Sequence, residues 1–476
     1  MKIKESSYLR RQKPLLRALV ERLEKKYRYC SVLGADCHAK RYSVNASGVS
    51  AATDDLFTQR GFVVRVVDER GYAEYSFNHL SEAELSAVEV KLEATLDALA
   101  AALPAGSSYM ERPLPPDEPL TFQGATECAV HPEALGDAEI LERLTAIRKT
   151  GLAVDEKVID CGAFVNYQEI HKLFLSPNRD LEQDLLWTCG GFMAMSRRGQ
   201  ELQTSYRGFS GLAGAEVLDE MAEGVADVAR VAVELLDSSP ITPGEYDCIC
   251  DPSVTGMIVH EAFGHGVEMD MFVKDRALAK SFVGEYVASP LVTMHDGAAV
   301  AQDAGSYFFD DDGVMAHDTV VIDKGVLKAG ISDLLSAQSL GTEPTGNGRR
   351  ESYARKAYTR MTNTYFEGGT DSLEDMIASV KYGFLLQEPS SGMEDPKNWG
   401  IQCMVSIARE IRDGKLTGKI FSPIVLTGYV PDLLKSITMM SPDVKLEGGG
   451  MCGKGYKEWV KVSDGGPYIK ARIRLG

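Results

Sequence analysis

Two histidines and a glutamate lie close together in residues 258–266, which read IVHEAFGHG. A divalent metal such as zinc binds neutral imidazole nitrogens at about 2.0–2.1 Å, and a catalytic site keeps one position for a water whose pKa falls to about 7. A carboxylate beside such ligands can accept the proton of that water and later return it. His260 and His265 are therefore candidate metal ligands, and Glu261 is a candidate general base.

The spacing of the two histidines requires a distorted helix. They are five residues apart, which an undistorted α-helix separates by about 140°, whereas the common H-E-x-x-H pattern keeps them on one face. A π-bulge would bring His260 and His265 together, because its wider turn places residues five apart on one face. Ending the helix at Gly264 or Gly266 would also suffice. The alternative is a core helix with two buried histidines and no metal.

A third ligand has to come from another part of the chain. A remote candidate is Cys452, which has glycines at positions 448, 449, 450, 453 and 455 around it. Glycine allows the backbone to approach a ligand closely, and a thiolate suits zinc. The alternative is that Cys452 is a small buried apolar residue in a tight turn. Candidates closer in sequence are Glu268, Asp270, Glu285, His295 and Asp296.

A second polar stretch, PTGNGRRESYA at residues 344–354, precedes RMTNTY at residues 360–365. Two glycines make a loop whose main chain can come close to a ligand, and arginines can hold a carboxylate bidentately. The alternative is a surface turn with solvated arginines. The predicted substrate-binding residues from these two segments are Asn347, Arg349, Arg350 and Asn363.

The overall composition narrows the class of protein. The 476 residues carry 51 Lys and Arg against 69 Asp and Glu, a net charge of −18, which argues against direct nucleic-acid binding. No segment approaches the ~18 consecutive apolar residues of a membrane span, and the N-terminus lacks a secretory signal pattern, so no membrane association is expected. Nine scattered cysteines without a C-x-x-C pair indicate reduced thiols and a cytoplasmic location.

The periodicity of apolar residues predicts the elements that position these side chains. Helices are predicted at residues 8–28, 85–103, 137–150 and 216–236, and a strand hairpin at residues 61–67 and 72–77. Further strands are predicted between residues 158 and 206, and residues 104–120, which hold five prolines, form a connector. Gly/Asp turns at residues 310–314, 323–327 and 412–416 indicate hairpins.

The fold class expected from these elements is α+β. Residues 238–246 (SSPITPGEY) resemble a boundary between domains. We therefore predict an N-terminal α+β domain over residues 1–239. A mainly antiparallel, β-rich C-terminal domain over residues 240–476 would carry the metal-site helix.

Five segments together resemble the TldD/PmbA family, also called modulators of DNA gyrase, and within it the TldD-like branch. They are HEAFGHGVE at residues 260–268, SFVGEYVAS at 281–289, the two polar segments above, and MCGK at 451–454. Residues 387–400 and the SGLAG before residue 215 depart from the family pattern, which bears on substrate specificity and partner choice.

The resemblance implies a zinc metallopeptidase, in which His260, His265 and Cys452 hold one zinc and Glu261 is the general base. It implies small or unfolded peptides as substrates, in peptide maturation or protein turnover. It also implies a dimer, either of identical chains or with a PmbA/TldE-like subunit that lacks the metal motif.

Two rival functions are open at this point. The chain could be a non-catalytic regulatory partner or binding subunit of the same family, although such a protein has no reason to keep His260, Glu261 and His265. It could also be a thiol enzyme that uses Cys452, although the sequence offers that sulfur no obvious histidine partner apart from the metal motif.

Overall fold

The structure is a computed structural model, and it describes residues 1–102, 114, 117–299, 303–447, 450–454 and 457–476. The connector predicted at residues 104–120 therefore lies mostly outside the described residues. Within the described ranges, each helix is too short or too polar to cross a membrane.

The N-terminal half combines eight strands with helices on one face. The strands are β1 (Tyr29–Asn45), β2 (Gly48–Thr53), β3 (Gln59–Asp68), β4 (Gly71–Phe77), β5 (Leu120–Ala125), β6 (Val158–Leu175), β7 (Arg179–Arg198) and β8 (Glu201–Gly211). The α-helices are α1 (Ser7–Leu23), α2 (Leu85–Ala102), α3 (Pro132–Leu135), α4 (Asp137–Leu152) and α5 (Val217–Glu234). The strands form one sheet in the order β4-β3-β1-β6-β7-β5, with β2 beside β1 and β8 beside β7. All pairs are antiparallel except β5 with β7.

Alternation along β6 shows how this sheet separates two environments. Val165 packs in a core with α4 and α5, and Leu173 packs in a core with α1 and α2. Ile170 and Phe174, which are offset from these by an odd number of residues, pack instead against residues of the C-terminal half. Because successive side chains of a strand point to opposite faces, one face of the sheet carries the helices and the other meets the C-terminal half.

The C-terminal half is built mainly from strands. Its α-helices are α6 (Pro252–Val259), α7 (Met269–Val273), α8 (Leu334–Leu340), α9 (Leu373–Ala378) and α10 (Val430–Lys435). Its strands are β9 (Gly244–Cys250), β10 (Met294–Gly297), β11 (Asp318–Asp323), β12 (Val326–Leu327), β13 (Gly348–Arg349), β14 (Tyr358–Thr359), β15 (Asn363–Phe366), β16 (Tyr382–Asp395), β17 (Gly400–Arg412), β18 (Lys415–Phe421), β19 (Ile424–Tyr429), β20 (Met439–Met440), β21 (Lys445–Glu447), β22 (Met451–Lys454), β23 (Lys457–Lys461), β24 (Ser463–Gly466) and β25 (Ile469–Leu475).

Two larger sheets and two short ribbons organise these strands. One sheet runs β16-β9-β25-β19-β17-β18 with β20 beside β25, and the other runs β12-β11-β10-β15-β24-β21. The ribbons are β13 with β14 and β22 with β23. Helix α6 contacts strands of both larger sheets, β16 of the first and β24 of the second. A helix with sheets on both sides is buried all round, which explains why its residues are almost all apolar.

The predicted α+β class is confirmed, with mainly antiparallel sheets. The four long predicted helices correspond to α1, α2, α4 and α5, and the predicted hairpin corresponds to β3 and β4. The strands of the eight-stranded sheet all precede residue 212, and those of the other sheets all follow residue 243. A domain boundary at residues 239/240 stays a prediction.

Two of the three predicted Gly/Asp hairpins join named strands, and the third is reduced to a single antiparallel bridge. The turns at residues 323–327 and 412–416 join β11 to β12 and β17 to β18. Residues 310–314 instead form a buried turn closed by one bridge between Phe309 and Met315. Its acids are paired with the N-terminal half: Asp312 lies 2.8 Å from Arg65, and Asp311 pairs with Lys172. This turn therefore ties the two halves together.

A buried ion pair joins β6 and β7 within the N-terminal sheet. His171 and Asp184 are opposite each other in the strand register, and the His171 Nδ1 lies 2.6 Å from the Asp184 carboxylate. Burial works to lower the pKa of His171, but Asp184 and Glu169 outweigh it and raise that pKa to about 9. The imidazolium form is therefore favoured by folding at neutral pH.

We expect His171→Gln to lower the free energy of unfolding by on the order of 2–3 kcal/mol at pH 6, where the pair is fully formed. A raised folded-state pKa contributes stability below the unfolded value of about 6.5 and loses it as the pH rises through about 9. Urea unfolding followed by circular dichroism at pH 6 and pH 10 should therefore show a smaller wild-type-to-variant difference at pH 10. Equal differences at both pH values would contradict this account.

Candidate metal centre

The helix that carries the histidine motif begins directly after β9. Asp251 caps it, because the Val254 N–H donates to the Asp251 carboxylate at 2.9 Å, and Pro252 occupies the first turn, where no N–H is needed. The helix α6 then runs inward to Val259 with every residue from 254 onward buried. This arrangement delivers the following residue, His260, into the interior between the two larger sheets.

A π-helical turn over His260–Gly264 follows α6, and a 3₁₀ turn over His265–Val267 ends the segment. The wider π turn is one of the two distortions that the five-residue spacing required, and it brings the imidazole centroids to 5.2 Å with their planes at 87°. Gly264 is needed for close packing, because a Cβ there would overlap the sulfur of Met361. The two histidines therefore face one point.

The sulfur of Cys452 completes this cluster from β22. It lies 3.2 Å from the His260 Nε2 and 3.4 Å from the His265 Nε2. Tetrahedral zinc with bonds of about 2.3 Å to sulfur and about 2.0–2.1 Å to nitrogen holds its donors about 3.5 Å apart. The observed spacings fit such an ion with little adjustment. Among the described residues, the other candidate ligands, Glu268, Asp270, Glu285, His295 and Asp296, are not part of this cluster.

The charges around the sulfur favour its thiolate form. Burial works to raise the pKa of the Cys452 thiol, but His260 and His265 outweigh it and lower that pKa well below its ordinary value. The effect is reciprocal. Burial acts to lower the pKa of His260, but the nearby Cys452 outweighs it and the pKa of His260 rises to about 9. The fully buried Arg360 guanidinium also donates to the sulfur at 3.0 Å. The cysteine is therefore held in the form that binds metals.

A second layer of charged groups orients these donors. The buried Glu268 carboxylate lies 3.3 Å from the His265 Nδ1, 3.2 Å from Arg360 Nε and 3.1 Å from Lys454 Nζ. A carboxylate on Nδ1 leaves the lone pair of His265 on Nε2, the nitrogen that faces the sulfur. The Nδ1 of His260 is buried and has no hydrogen-bond partner in the part of the chain that the structure describes, and the Asp464 carboxylate lies 4.0 Å from it. Sequence reasoning considered Glu268 only as a ligand and missed Arg360, Lys454 and Asp464.

Glu261 and His260 open onto a cleft of about 770 Å³. Tyr206–Gly208 at the edge strand β8 and Gln387–Gly392 of β16 also line the cleft. Gly392 lies against the Glu261 side chain so closely that a Cβ there would overlap the Glu261 Cγ. The segment that departs from the family pattern, residues 387–400, therefore contributes a wall of this cleft.

The four predicted substrate-binding residues lie elsewhere. The buried Asn347 amide donates to Asp296 at 2.7 Å, and the buried Asn363 amide donates to the Gly297 carbonyl at 2.8 Å. Arg350 pairs with Glu74 of the N-terminal half at 2.5 Å, and Arg349 lines a separate interior cavity. None of the four lines the cleft that holds Glu261. The two arginines are not exposed to solvent, as they would be in the alternative of a surface turn. A substrate role for these four residues stays a prediction.

A second group of possible donors, His131, Glu133 and Glu169, is less suited to a metal. The His131 Nδ1 accepts the N–H of Glu133 at 3.3 Å as the cap of α3. The proton of the neutral imidazole is then on Nε2, which lies 3.3 Å from the Glu169 carboxylate. No lone pair of His131 is left for a metal, whereas His260 and His265 both turn Nε2 towards the sulfur.

Comparison with known proteins gives the chain a family. A family model for the PmbA/TldA metallopeptidase C-terminal domain matches residues 243–473. A metalloprotease TldD homolog of Haemophilus influenzae is 31% identical over 360 residues, 73% of each chain. The chain belongs to the PmbA/TldD metallopeptidase family. The predicted resemblance is thereby confirmed.

Other relatives match over shorter lengths. A metalloprotease of Methanothermobacter thermautotrophicus is 32% identical over 59% of this chain and 61% of the relative. A TldD homolog of Buchnera aphidicola from Acyrthosiphon pisum is 34% identical over 51% of this chain and 50% of the relative. The matches thus span about half to three fifths of these relatives.

A solved structure, TldE from Thermococcus kodakarensis, shares the fold with a TM-score of 0.72 and 19% identity. That likeness covers 96% of this chain and 99% of that one. It therefore extends to both halves of the molecule.

We expect Cys452→Ala to weaken zinc binding at least about 100-fold, because one of three protein donors is lost. Equilibrium dialysis with metal analysis of the purified chain measures this. Cys128→Ala removes another buried thiol, one that is distant in sequence from Cys452, and this variant should bind zinc as the wild type does. Equal zinc affinity in the Cys452 variant and the wild type would refute the assigned donor set.

Proposed function

We propose that the chain is a zinc-dependent peptidase that hydrolyses small or unfolded peptides in peptide maturation or protein turnover. The observation that carries this proposal is the convergence of the Cys452 sulfur with the two imidazoles at 3.2 and 3.4 Å. Glu261 lies in the same π turn and opens onto the cleft beside them. A thiolate, two imidazoles and an adjacent free carboxylate are the parts that amide hydrolysis at a metal requires.

The proposed mechanism divides the work between ligands and base. His260, His265 and Cys452 would hold the zinc, and Glu268 and Arg360 keep two of these donors oriented. When bound, zinc supplies Lewis acidity, which polarises a carbonyl and lowers the pKa of water to about 7. Glu261 accepts the proton of the water that attacks the scissile carbonyl carbon. It then delivers that proton to the leaving amine nitrogen as the amide bond breaks.

The cleft also supports an extended peptide as the substrate. Strand β16 pairs with β9 only through residues 383–386, so beyond Leu386 the described strands pair with it on the β17 side alone. A peptide that added to this free edge would bind through its main chain, which demands no particular side chains. An unfolded chain offers such a main chain, whereas a folded protein does not. Residues 387–392, which also depart from the family pattern, would then influence substrate choice.

The rival proposal is a non-catalytic regulatory partner of the same family. Such a protein would not need a carboxylate that opens onto a cleft beside the donor set, so the geometry favours the peptidase. The two imidazoles give the Cys452 sulfur the histidine partners that a thiol enzyme would use. A thiol enzyme is nevertheless disfavoured, because Cys452 does not line the cleft onto which Glu261 opens. The cytoplasmic setting is part of our proposal, and nine buried free thiols support it.

We also propose that the chain works as a dimer, with a second copy or with a PmbA/TldE-like chain. The solved TldE has this fold, and two chains of one fold can pair through equivalent surfaces. Light scattering of the purified chain, alone and mixed with a TldE-like protein, tests this. A monomeric mass in both samples would refute the proposal.

The proposed function predicts that Glu261→Ala keeps its zinc and loses peptidase activity. General acid–base catalysis contributes about 10²–10⁴-fold, so cleavage of casein or a short reporter peptide should fall by at least about 100-fold. Metal analysis should meanwhile give the same zinc content as the wild type. Glu374→Ala, which removes an exposed carboxylate on α9, serves as the control. Full activity of the Glu261 variant would sink the peptidase proposal as stated.

Gly392→Ala tests the position of the base without removing it. The added methyl overlaps the Glu261 side chain and should displace it, and a misplacement of about 1 Å can cost about 100-fold in rate. Gly400→Ala is the matched control on the neighbouring strand, since a Cβ there meets no atom within 4 Å. We expect kcat to fall in the first variant only, with zinc content unchanged in both. An equal kcat in the two variants would argue against a role for Glu261.

A further inference from the structure

A second cavity lies between the N-terminal sheet and the C-terminal half. Cys37 of β1, Lys172 of β6 and Trp187 of β7 line it on one side, and Arg349 and Lys461 line it on the other. Its volume is about 90 Å³, enough for a small molecule but not for a folded chain. It shares no lining residue with the cleft that holds His260 and Glu261, and the mechanism proposed above does not use it.

Two cations face this cavity without a carboxylate partner among the described residues. The Lys461 ammonium lies 4.9 Å from the ring centre of Phe57 and 4.7 Å from that of Trp187, and no carboxylate of the described residues forms an ion pair with it. The Arg349 guanidinium donates to the Met361 carbonyl at 2.6 Å and lies 5.2 Å from the ring centre of Tyr307. Aromatic faces attract cations, but they do not neutralise the charge.

The nearest acids are already engaged. Asp311 pairs with Lys172 and accepts the Arg350 N–H at 2.8 Å. Asp310 accepts three backbone N–H groups, and its burial raises its pKa well above the ordinary range. These carboxylates hold the buried turn in place, and neither forms an ion pair with Arg349 or Lys461. Asp311 and Asp296 act on Arg349 only from beyond ion-pair distance.

The pKa of Lys461 shows that its charged form is unfavourable in this cavity. Burial, above all, lowers the pKa of Lys461 to about 7. The nearby Cys37 thiol acts to raise that pKa, whereas Arg349 and Lys172 act to lower it. Buried charge is unfavourable unless it is paired. Two such cations in one cavity are therefore a reason to expect an anion between them.

We propose that this cavity binds a small carboxylate whose charged end lies between Lys461 and Arg349. The aromatic walls formed by Phe57, Trp187 and Tyr307 suit a flat, apolar body on that acid. A monoanion matches the site better than a phosphate, because the Asp311 carboxylate also lines the cavity and would repel a second negative charge. The carboxylate could belong to a free small acid or to the C-terminal residue of a peptide.

Benzoate and benzamide test the charge requirement, since they have nearly the same shape. Trp187 and Trp459 line the cavity, so tryptophan fluorescence of the full chain reports binding, and calorimetry gives its affinity. We expect benzoate to bind at least about tenfold more tightly than benzamide, the difference that about 1.4 kcal/mol produces. Equal affinity, or no saturable binding of benzoate at millimolar concentration, would overturn the proposal.

Variants assign the binding to this cavity. Lys461→Met and Arg349→Met should each weaken benzoate binding at least about tenfold, whereas Lys461→Arg keeps the charge and should stay within about threefold of the wild type. Lys419→Met, which removes an exposed lysine on β18, is the control. Unchanged benzoate affinity in Lys461→Met would overturn the proposal. If that variant does not fold, Lys461→Arg and the wild-type benzoate–benzamide comparison still decide.

Two further probes distinguish the sources of the carboxylate. Gly-Gly-Gly-Phe with a free C-terminus and its C-terminal amide are titrated in the same way. If benzoate binds, tight binding of the free-acid peptide but not of its amide would assign the site to peptide C-termini. Binding of benzoate but of neither peptide would assign the site to free small acids. These measurements need no peptidase activity, so their failure is separate from failure of the proposed function.

Discussion

The contact between one sulfur and two imidazoles is the constraint on which the rest of the structure depends. Cys452 is 192 and 187 residues from its two partners in the sequence, so no local preference can bring them together. The ribbon of β22 and β23 has to dock against the π turn at the end of α6. That docking needs both larger sheets in place, because α6 is held between them.

Alternating positive and negative side chains stabilise this contact between the sulfur and the imidazoles in the protein interior. Arg360 bridges the Cys452 sulfur and Glu268, and Glu268 in turn meets His265 and Lys454. Lys454 continues to Asp270 at 2.6 Å. Each buried charge in this network thus has at least one neighbour of opposite sign, which is the condition under which buried ions are tolerated. The same network fixes the direction of the His265 ring, so stability and ligand orientation have one cause.

Local patterns could predict much of this fold but only part of its site. The helices α4 and α5 follow from apolar periodicity, and the five-residue spacing of His260 and His265 was enough to require a π turn or an early helix end. Cys452 could be named from its glycine-rich surroundings and from the family resemblance, not from spacing. Arg360 and Glu268 could not be paired, because their contact is set by tertiary packing.

The burial of the turn at residues 310–314 could not be predicted for the same reason. A DDDGV segment has the composition of an exposed turn. That composition does not indicate which cations pair with its acids when the turn is buried. Arg65 and Lys172, which pair with Asp312 and Asp311, lie more than a hundred residues earlier. Composition predicts the turn itself, whereas its burial depends on the opposite half of the molecule.

Available lone pairs, rather than proximity alone, favour one of the two histidine clusters as the proposed metal site. In both clusters the donor atoms lie within 4.8 Å of one another. The His131 Nδ1 accepts a hydrogen bond at the N-terminus of α3, and the proton on its Nε2 points towards Glu169. Both nitrogens of His131 therefore have a partner. The His265 Nδ1–H donates a hydrogen bond to Glu268, and the Nδ1 of His260 has no hydrogen-bond partner among the described residues, so both rings keep Nε2 for a shared partner. Tautomers set by backbone and carboxylate contacts therefore distinguish a structural histidine from a candidate ligand, a distinction that sequence spacing cannot make.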